Sequence, residues 1–311
     1  MYHQRCTYTN APPPYGIVRG KCRRGEPNAT IVRSSTGRSV KVTDALPQYP
    51  DKREAPPESV LAFAELLRRS SRVVAFTGAG ISTESGIPDY RGPGGVWSQG
   101  KPPTIADFLD SRDTRLAYWE RRRTSYPEMV ARQPNAGHLA LSRLAEMGKL
   151  SVVITQNIDG LHQDSGLADD AVVELHGTAR QVQCTSCGTR ESGEAIHKRL
   201  LAGADHPDCL QCGGLLRSAT VLFGEQLPRE PLRRAVAEAQ QCDLMVVIGS
   251  SLVVQPAAQL PLVAKHGGAA LVFVNRESTQ LDAHADVLVL GDAGHALSTA
   301  LDLMEETPDG P

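Results

Sequence analysis

The chain has 311 residues, of which 41% are hydrophobic and 22% are charged, and its formal net charge is −2. This length is enough for one large domain, or for a large domain and a small one. The chain contains no apolar run of the roughly 18 residues that span a bilayer, and its first ten residues lack the apolar core of a secretory signal. We therefore expect no membrane association and a cytoplasmic location, or the mitochondrial matrix if the source is eukaryotic.

Residues 1–57 differ from the rest of the chain in charge and in proline content. They carry ten Lys/Arg against four Asp/Glu, and they hold eight of the 21 prolines. They show no sustained apolar periodicity, so we predict a disordered, basic, Pro-rich tail. Such a tail could bind nucleic acid or another polyanion, but a solvated tail or a start codon placed too early is the simpler explanation.

From residue 58 onward, apolar runs alternate with amphipathic segments. The segment 59–70 places Val60, Phe63 and Leu67 on one helical face, and residues 72–76 follow it as an apolar strand. Short runs rich in Val, Ile and Leu, without a polar face, predict five further strands at 151–155, 172–175, 244–249, 270–275 and 286–291. Further helices are predicted at 136–147, 229–240, 255–266 and 293–304. This alternation indicates an α/β fold with a doubly wound, Rossmann-like parallel sheet, whose ligand crevice lies at the carboxyl ends of the strands.

Two insertions interrupt this alternation. Residues 98–135 are rich in Arg and Pro and contain a predicted helix at 115–123, and residues 181–217 hold two pairs of cysteines. Because both insertions begin and end near predicted strand ends, we expect a helical insertion and a small cysteine module that flank the crevice. The Rossmann-like domain is then assembled from residues 58–97, 136–180 and 218–311.

Four of the seven cysteines form the pattern Cys184-x2-Cys187-x21-Cys209-x2-Cys212. Two such pairs at this separation predict a zinc ribbon, because four thiolates complete a tetrahedral zinc site. A site of this kind leaves no position for water, so we expect one structural Zn²⁺. A ribbon that binds nucleic acid is the alternative, but five Lys/Arg against four Asp/Glu in residues 180–217 give it little basic surface.

A glycine turn, Gly78-Ala79-Gly80, follows the first predicted strand. Glycines at this place let backbone N–H groups approach a pyrophosphate at the N-terminus of the next helix. The third glycine of the dehydrogenase fingerprint is missing, and so is the acidic residue expected about 20 positions further on, which disfavours hydride transfer. A tight strand-to-helix turn without a ligand is the alternative.

Polar side chains follow two further predicted strands. Gln156, Asn157 and Asp159 come after one of them, and His176 comes after the next along the chain. A lone histidine is usually structural, but this one shares the carboxyl end of the sheet with two amides and a carboxylate. Histidine is the side chain best suited to proton transfer near neutral pH, so His176 is a candidate general base.

Seven motifs, in one order, resemble those of the sirtuins, a family of NAD-dependent protein lysine deacylases. They are GAGISTESGIPDYRG at 78–92, TQNIDGLH at 155–162, ELHG at 174–177, the paired cysteines, FGE at 223–225, GSSLVVQPA at 249–257 and VNRE at 274–277. The resemblance covers about residues 58–305, and the PDYRG variant is most similar to that of bacterial and mitochondrial-type members.

The resemblance implies that the chain uses NAD as a co-substrate and transfers the acyl group of a modified lysine to the ribose. It assigns His176 as the general base that activates a ribose hydroxyl, while Asn157 and Asp159 hold the ribose and help to displace nicotinamide. Tyr90 and Arg91 would lie on a mobile loop that closes over the cofactor and excludes water. The implied NAD contacts are Gly78, Ala79, Gly80, Ile87, Asp89, Tyr90, Arg91, Gln156, Asn157, Asp159, Gly249, Ser250, Ser251, Asn275, Glu277, Asp292 and Ala293.

The resemblance also implies that the substrate is an acylated lysine in an extended peptide segment of a protein. The segments 221–225 and 252–256 would hold this peptide between them as an added strand, a mode in which backbone hydrogen bonds give affinity with little sequence selectivity. The implied substrate contacts are Phe223, Gly224, Glu225 and Val253, of which Phe223 and Val253 would form walls of the acyl-lysine tunnel.

Tyr118 and Arg121 match the Tyr/Arg pair of the desuccinylase branch of the same family. An arginine fork is suited to a carboxylate, so the pair would recognise succinyl and malonyl groups. Three arginines run together at 121–123, however, and an Arg-rich helix yields this spacing easily. A solvated or structural role for both residues is therefore the alternative.

The predicted function is NAD-dependent removal of acyl groups from protein lysines, which gives nicotinamide, the deacylated lysine and 2′-O-acyl-ADP-ribose, with acidic acyl groups as one option for the substrate. Mono-ADP-ribosyl transfer to protein at the same site is the alternative. A non-catalytic module that binds through the zinc ribbon or the basic tail is a distant third. No membrane partner is expected, and nucleic acid is expected only through the tail.

Overall fold

The computed structural model describes residues 57–89 and 103–306, and the backbone of residues 30–33 and 39–42. The two short ranges are an antiparallel pair of strands, β1 (Thr30–Arg33) and β2 (Ser39–Val42), which belong to a unit separate from the remainder of the chain. Both strands fall within residues 1–57, for which the sequence predicts no regular structure. The rest of that tail lies outside the described residues, and so do Tyr90 and Arg91 of the predicted cofactor loop.

The larger unit alternates helices and strands as the sequence predicts, with several short elements added. In chain order its elements are α1 (Pro57–Arg69), β3 (Val73–Thr77), α2 (Ile105–Asp110), α3 (Arg112–Val130), α4 (Ala136–Glu146), β4 (Leu150–Thr155), α5 (Leu161–Asp164), β5 (Val172–Glu174), β6 (Gly177–Cys184), β7 (Arg190–Ser192), α6 (Gly193–Leu201), β8 (Leu216–Thr220), α7 (Arg229–Gln241), β9 (Leu244–Ile248), α8 (Leu260–His266), β10 (Ala270–Asn275), β11 (Val287–Leu290) and α9 (Ala293–Glu306). Within the described ranges, none of the helices is both long and apolar enough to cross a membrane.

Six strands form one parallel sheet in the order β11-β10-β9-β3-β4-β5. These are the six strands predicted from the apolar runs, so the α/β fold class with a doubly wound, Rossmann-like sheet is confirmed. The order of strands reverses direction around β3: the chain moves from β3 to β4 and β5 on one side, and then to β9, β10 and β11 on the other. A reversal of this kind opens a ligand crevice at the carboxyl ends of the central strands.

The central strands are apolar along their whole length because both faces of the sheet are covered. All five residues of β3 are buried, and alternate side chains point to opposite faces. Val73 and Ala75 pack into a core that contains side chains of α1, α4 and α9, whereas Val74 and Phe76 pack into a second core with α7 and α8. The two cores hold the sheet rigid, so the residues at its carboxyl ends are carried on a fixed frame.

The predicted boundaries of the helix before β10 are wrong at the N-terminal side. The structure begins α8 at Leu260, whereas the sequence predicts residue 255, because Pro256 and a 3-10 turn at Ala257–Gln259 come first. Pro261 then occupies the first turn of α8, where its missing N–H costs no helical hydrogen bond.

A second, smaller sheet has the antiparallel order β7-β6-β8. It begins at Gly177 and ends at Thr220, so it extends beyond the predicted module 181–217 on both sides, because β6 starts directly after His176. Its core is completed from outside: Trp119 of α3 is 1% exposed and packs with Val182, Ile196, Leu200, Leu216 and two cysteines. The helical insertion and the cysteine module therefore share one hydrophobic core.

Candidate active site

Two glycine turns meet at the carboxyl ends of β3 and β9. The Gly78 amide donates to Ile248 O at 3.0 Å, and the Gly80 amide donates to Gly249 O at 2.8 Å. Gly249 has φ +61°, and a Cβ there would lie only 2.3 Å from the amide nitrogen of Ile81. A Cβ on Gly78 or Gly80 would lie 2.7 or 2.6 Å from backbone atoms of Gly249. The glycines are thus required for the two turns to touch, and the turns present backbone without side chains, as a diphosphate site needs.

Asn157 and Asp159 are both buried, at 6% and 5% exposure, and one hydroxyl joins them. The Asn157 amide Nδ2 donates to Ser82 Oγ at 3.1 Å and to Gly78 O at 3.1 Å. The Ser82 hydroxyl donates in turn to Asp159 Oδ2 at 2.8 Å, and Leu161 N donates to Asp159 Oδ1 at 3.0 Å. Ser82 is a site residue that the sequence reasoning missed. Its signal is its place inside the glycine motif, two residues after the second glycine.

The next strand ends are linked across the sheet by side chains that the sequence predicts to bind NAD. The Gln156 amide Nε2 donates to Ser250 Oγ at 2.8 Å. Ser250 N donates to Asn275 Oδ1 at 2.9 Å, and Asn275 Nδ2 donates to Ser250 O at 3.2 Å. The structure therefore brings residues from β4, β9 and β10 into one connected row of polar groups, whereas Ser251 beside them is exposed.

Two of the predicted NAD contacts, Asp292 and Ala293, lie where α9 begins. Asp292 is buried and accepts a hydrogen bond from Arg276 Nε at 2.6 Å. Gly294 N, in the first turn of α9 after Ala293, donates to Glu84 Oε1 at 2.9 Å. A carboxylate at a helix N-terminus is stabilising, so Glu84 fixes the 3-10 turn at Ala79–Ser85 against α9.

His176 is half-buried, and its Nδ1 lies 2.9 Å from the carbonyl oxygen of Gln156. A carbonyl oxygen can only accept, so Nδ1 carries the proton and Nε2 of the neutral ring keeps its lone pair. Burial lowers the pKa of His176 below its usual 6.5, and the bond to Gln156 opposes this with a smaller effect. At neutral pH the ring is therefore unprotonated at Nε2, as a general base must be.

Two further histidines, which the sequence reasoning missed, are buried behind this row. The Thr77 hydroxyl donates to Thr155 Oγ1 at 2.8 Å and lies 2.9 Å from His162 Nε2. The rings of His138 and His162 are 5.0 Å apart. Burial lowers the pKa of His138 to about 4 and that of His162 well below 6.5. Both rings are neutral at physiological pH, so they act as uncharged support for the strand ends.

The four predicted zinc ligands converge in space. Their sulfur atoms all lie within 4.8 Å of one another, with Cys184 Sγ 3.5 Å from Cys212 Sγ and Cys187 Sγ 3.7 Å from Cys209 Sγ. A zinc ion bound tetrahedrally at about 2.3 Å requires sulfurs about 3.8 Å apart. The cluster therefore fits one structural Zn²⁺ held by four thiolates.

The predicted substrate residues divide into two kinds. Phe223 and Val253 are large apolar side chains that are 46% and 53% exposed, as walls of a peptide site would be before the peptide binds. The Glu225 carboxylate is used internally, because it accepts from Arg217 Nη2 at 2.7 Å and from Leu222 N at 2.7 Å. It shapes the turn that contains Gly224, whose φ is +88°.

Tyr118 and Arg121 do not share a hydrogen-bond partner among the described contacts. The Tyr118 hydroxyl donates to Ser218 Oγ at 2.7 Å and accepts from Ser218 N at 2.9 Å, so it links α3 to β8. Arg121 is exposed. The neighbouring Arg122 is the buried arginine of this run, and its guanidinium donates to Ser218 Oγ and Ala179 O. These contacts favour the structural alternative for Tyr118.

Comparison with known proteins supports the resemblance that the sequence motifs indicate. The sequence model of the Sir2 family matches residues 78–256. The NAD-dependent protein deacetylase of Rhodopseudomonas palustris is 44% identical over 233 residues, which cover 75% of this chain and 92% of that protein. The NAD-dependent protein deacylase 2 of Archaeoglobus fulgidus is 41% identical over 235 residues, which cover 75% of this chain and 91% of that protein.

Solved structures of Sir2 enzymes have the same fold. One, from work on the mechanism and regulation of Sir2 enzymes, aligns with a TM-score of 0.73 at 37% identity and covers 81% of this chain and 99% of its own. A Sir2 complex with a p53 peptide and NAD⁺ aligns with a TM-score of 0.70 at 39% identity and covers 79% of this chain and 97% of its own. The chain therefore belongs to the Sir2 family, the sirtuins.

Proposed function

We propose that this sirtuin removes acyl groups from lysine side chains of proteins with NAD as co-substrate, and that it releases nicotinamide, the deacylated lysine and 2′-O-acyl-ADP-ribose. The observation that carries the proposal is the tautomer of His176. Its Nδ1 proton is held by Gln156 O, which leaves Nε2 as a base at the same sheet edge as the two glycine turns.

The residues present fit NAD. The touching turns at Gly78, Gly80 and Gly249 would hold its diphosphate, because a Cβ at any of them would meet backbone. Ser250 and Asn275, joined by two hydrogen bonds, would hold ribose oxygens of the adenosine half. When bound, NAD supplies the bond between nicotinamide and ribose, whose cleavage leaves an electrophilic ribose carbon.

Three side chains would then do the chemistry that the protein contributes. Asn157 and Asp159 would orient the ribose, since Ser82 fixes both and their burial excludes water. His176 would accept a proton at Nε2 from a ribose hydroxyl, so that the hydroxyl oxygen bonds to the acyl carbon while the bond from that carbon to the lysine nitrogen breaks and the lysine leaves as its amine. The proton then leaves through the same nitrogen, because Nδ1 stays occupied by Gln156 O.

The substrate is proposed to be an acylated lysine in an extended segment of a protein. Two Sir2 structures similar to this chain hold a p53 peptide with NAD⁺ and an acetylated peptide. The exposed Phe223 and Val253 support a peptide site of the same kind here. An added strand uses mainly backbone hydrogen bonds, so we expect little selectivity for the sequence around the lysine.

For the acyl group we propose small neutral acyls, such as acetyl and propionyl, in preference to acidic ones. The Tyr118 hydroxyl is occupied by Ser218, and Arg121 is exposed, so neither contact supports a carboxylate clamp. Acidic-acyl recognition remains the second candidate, and it requires Arg121 to turn toward the substrate.

The test is to incubate the purified protein with NAD and a panel of acetyl, propionyl, succinyl and glutaryl peptides. Acyl-dependent release of nicotinamide together with 2′-O-acyl-ADP-ribose supports the proposal. If the ADP-ribose half of the NAD carries a label, labelled protein in place of that product would favour mono-ADP-ribosyl transfer. Absence of acyl-dependent nicotinamide release would favour a non-catalytic binding module. Arg121→Met should change turnover of acetyl and succinyl peptides equally. A selective loss on the succinyl peptide would overturn the neutral-acyl preference.

A further inference from the structure

Three consecutive hydrogen bonds join the loop that carries Asn157 and Asp159 to the segment that leads into the cysteine module. They are His176 Nδ1 to Gln156 O at 2.9 Å, Ala179 N to Ile158 O at 2.9 Å, and Arg180 Nε to Asp159 O at 2.8 Å. The first involves the proposed general base, and the second is backbone only. The third comes from a side chain that the proposed chemistry leaves unused.

The Arg180 guanidinium spans both ends of the short helix α5. Its Nε donates to Asp159 O just before α5, while Nη1 and Nη2 bind the Asp164 carboxylate at its last residue. Gly160 between them has φ +76°, and a Cβ there would lie 2.5 Å from Arg180 Nε. The glycine thus allows the guanidinium to lie directly against the backbone of the loop.

The direction of the Asp159 carboxylate depends on this same backbone. Asp159 Oδ1 accepts from Leu161 N, which belongs to the first residue of α5, and Asp159 Oδ2 accepts from Ser82. A shift of α5 would therefore move one of the two donors that hold the carboxylate. Arg180 restrains α5 at both ends, so it restrains that donor as well.

Arg180 lies on β6, which runs on to Cys184. The arginine is therefore carried by the strand that also bears a zinc ligand. The ion pair itself is partly exposed, with side-chain exposures of 31% for Arg180 and 36% for Asp164, and pairs of this kind contribute little to stability. What distinguishes Arg180 from a surface ion pair is its bond to the main chain of a residue proposed to contact the ribose.

We infer that Arg180 is a positioning residue for the NAD-cleaving site, acting through the backbone of Asp159 and α5 from the strand that leads to the zinc cluster. The inference rests on the proposed function, because it assigns Asp159 to the ribose. In this role Arg180 acts on the ribose site only through its bonds to Asp159 O and to the Asp164 carboxylate. Its removal should therefore impair the orientation of the nicotinamide ribose more than the binding of the peptide.

Three variants separate this role from a purely structural one. Arg180→Met keeps most of the side-chain length but removes every donor. Arg180→Lys keeps the charge beside Asp164 but lacks the Nε–H group that bonds Asp159 O, since lysine and arginine differ in donor geometry. Arg190→Met is the matched control. Arg190 and Arg180 both line one groove of about 680 Å³, but the side chain of Arg190 hydrogen-bonds only Gln181 among the described contacts.

The measurements are kcat and KM on an acetylated peptide, calorimetric titration with ADP-ribose, zinc content and Tm. For Arg180→Met we expect kcat to fall about tenfold or more and ADP-ribose to bind more weakly, with peptide KM, zinc content and Tm near wild type. Arg180→Lys should recover only part of the loss, and Arg190→Met should behave as wild type.

Unchanged kcat and ADP-ribose affinity in Arg180→Met would overturn the inference, and so would full recovery in Arg180→Lys, which would leave only the ion pair. If Arg180→Met loses zinc or fails to fold, Arg180→Lys carries the test alone. Failure of the proposed function is distinguishable, because the wild-type protein would then lack acyl-dependent turnover while the ADP-ribose titrations still compare the variants.

Discussion

The Nδ1 atom of His176 donates to the carbonyl oxygen of Gln156 at 2.9 Å, and this one bond decides which nitrogen of the ring can act as a base. Gln156 follows β4, and His176 follows the neighbouring strand β5, with which β4 pairs in parallel. The parallel register thus brings the two residues together although they are 20 positions apart. The amide side chain of Gln156 meanwhile reaches across to Ser250. Gln156 therefore sets the tautomer of His176 with its main-chain carbonyl, and its side chain holds Ser250, a predicted NAD contact, in place.

The pH dependence of kcat/KM should report this histidine. Burial lowers the pKa of His176 below 6.5, and protonation of Nε2 removes the base, so activity should rise with pH through a limb whose midpoint lies below 6.5. His176→Gln should lower kcat by about 10²-fold or more and abolish this limb, with Tm near that of wild type. Wild-type turnover in that variant, or a limb centred above 6.5, would contradict the assignment.

Gly249→Ala should prevent NAD and ADP-ribose from binding. Gly249 has φ +61°, and its added Cβ would lie 2.3 Å from Ile81 N and 2.5 Å from the carbonyl carbon of Gly80, so the two turns must separate. Gly268→Ala is the matched control, because Gly268 also has positive φ (+96°) but a Cβ added there would meet no atom within 4 Å. The control isolates the left-handed backbone cost of about 1–2 kcal/mol.

Calorimetric titration with ADP-ribose and urea unfolding should therefore distinguish the two alanine variants. Gly249→Ala should lose affinity and lose more unfolding free energy than the control, whereas Gly268→Ala should lose stability only. Equal ADP-ribose affinity in both variants would mean that contact between the turns is not needed for the phosphate site.

The sequence predicts the central sheet well because burial on both faces makes each parallel strand a continuous apolar run. It predicts the polar groups at the strand ends for a related reason, since motifs such as TQNIDGLH place them directly after those runs. What it misses are bonds between motifs. Ser82 joins Asn157 to Asp159, although it lies 75 and 77 positions before them, and no local pattern encodes that.

The small sheet was harder to predict for a different physical reason. Strand β7 has three residues and β6 alternates poorly, because cysteines form part of the core of this sheet and Trp119 of α3 completes that core from outside the segment. For Tyr118 the local sequence suggests a functional role that contacts from a distant part of the chain do not support. Its spacing to Arg121 suggests a ligand site, whereas its hydroxyl is satisfied by Ser218 of a distant strand.

Removal of zinc should disrupt the packing around Trp119. Trp119 is 1% exposed and packs with Cys184 and Cys209, and zinc binding in zinc-finger peptides contributes about 10–16 kcal/mol of apparent folding free energy. In a Trp97→Phe background, Trp119 is the only tryptophan, so chelation or Cys187→Ser should shift its emission to longer wavelength and lower the zinc content. Cys242→Ala is the control, since Cys242 is buried beside Ala239 O, outside the cluster. A chelated protein with unchanged emission would contradict the shared core.

The buried pair His138 and His162 should make the protein acid-sensitive. Burial lowers the pKa of His138 from 6.5 to about 4 and that of His162 well below 6.5. Below pH 6.5 these two histidines are therefore protonated in the unfolded chain but neutral in the folded chain. The unfolding free energy therefore falls as pH drops from 6.5 toward 4 and is unaffected by these groups above 6.5. The shift of His138 alone corresponds to about 3 kcal/mol across that window.

Urea unfolding between pH 7 and pH 4.5 measures this slope, and His138→Gln tests its origin. Glutamine does not titrate, and its carbonyl oxygen can replace His138 Nδ1 as acceptor for Asn135 N. The variant should lose stability at pH 7, but its unfolding free energy should fall less steeply below pH 6.5. The reason is that only one of the two buried histidines remains to be protonated on unfolding. Zinc thiolates also protonate in acid, but they do so in both proteins, so the difference between the slopes belongs to the histidine. Parallel slopes would show that the acid sensitivity does not come from His138.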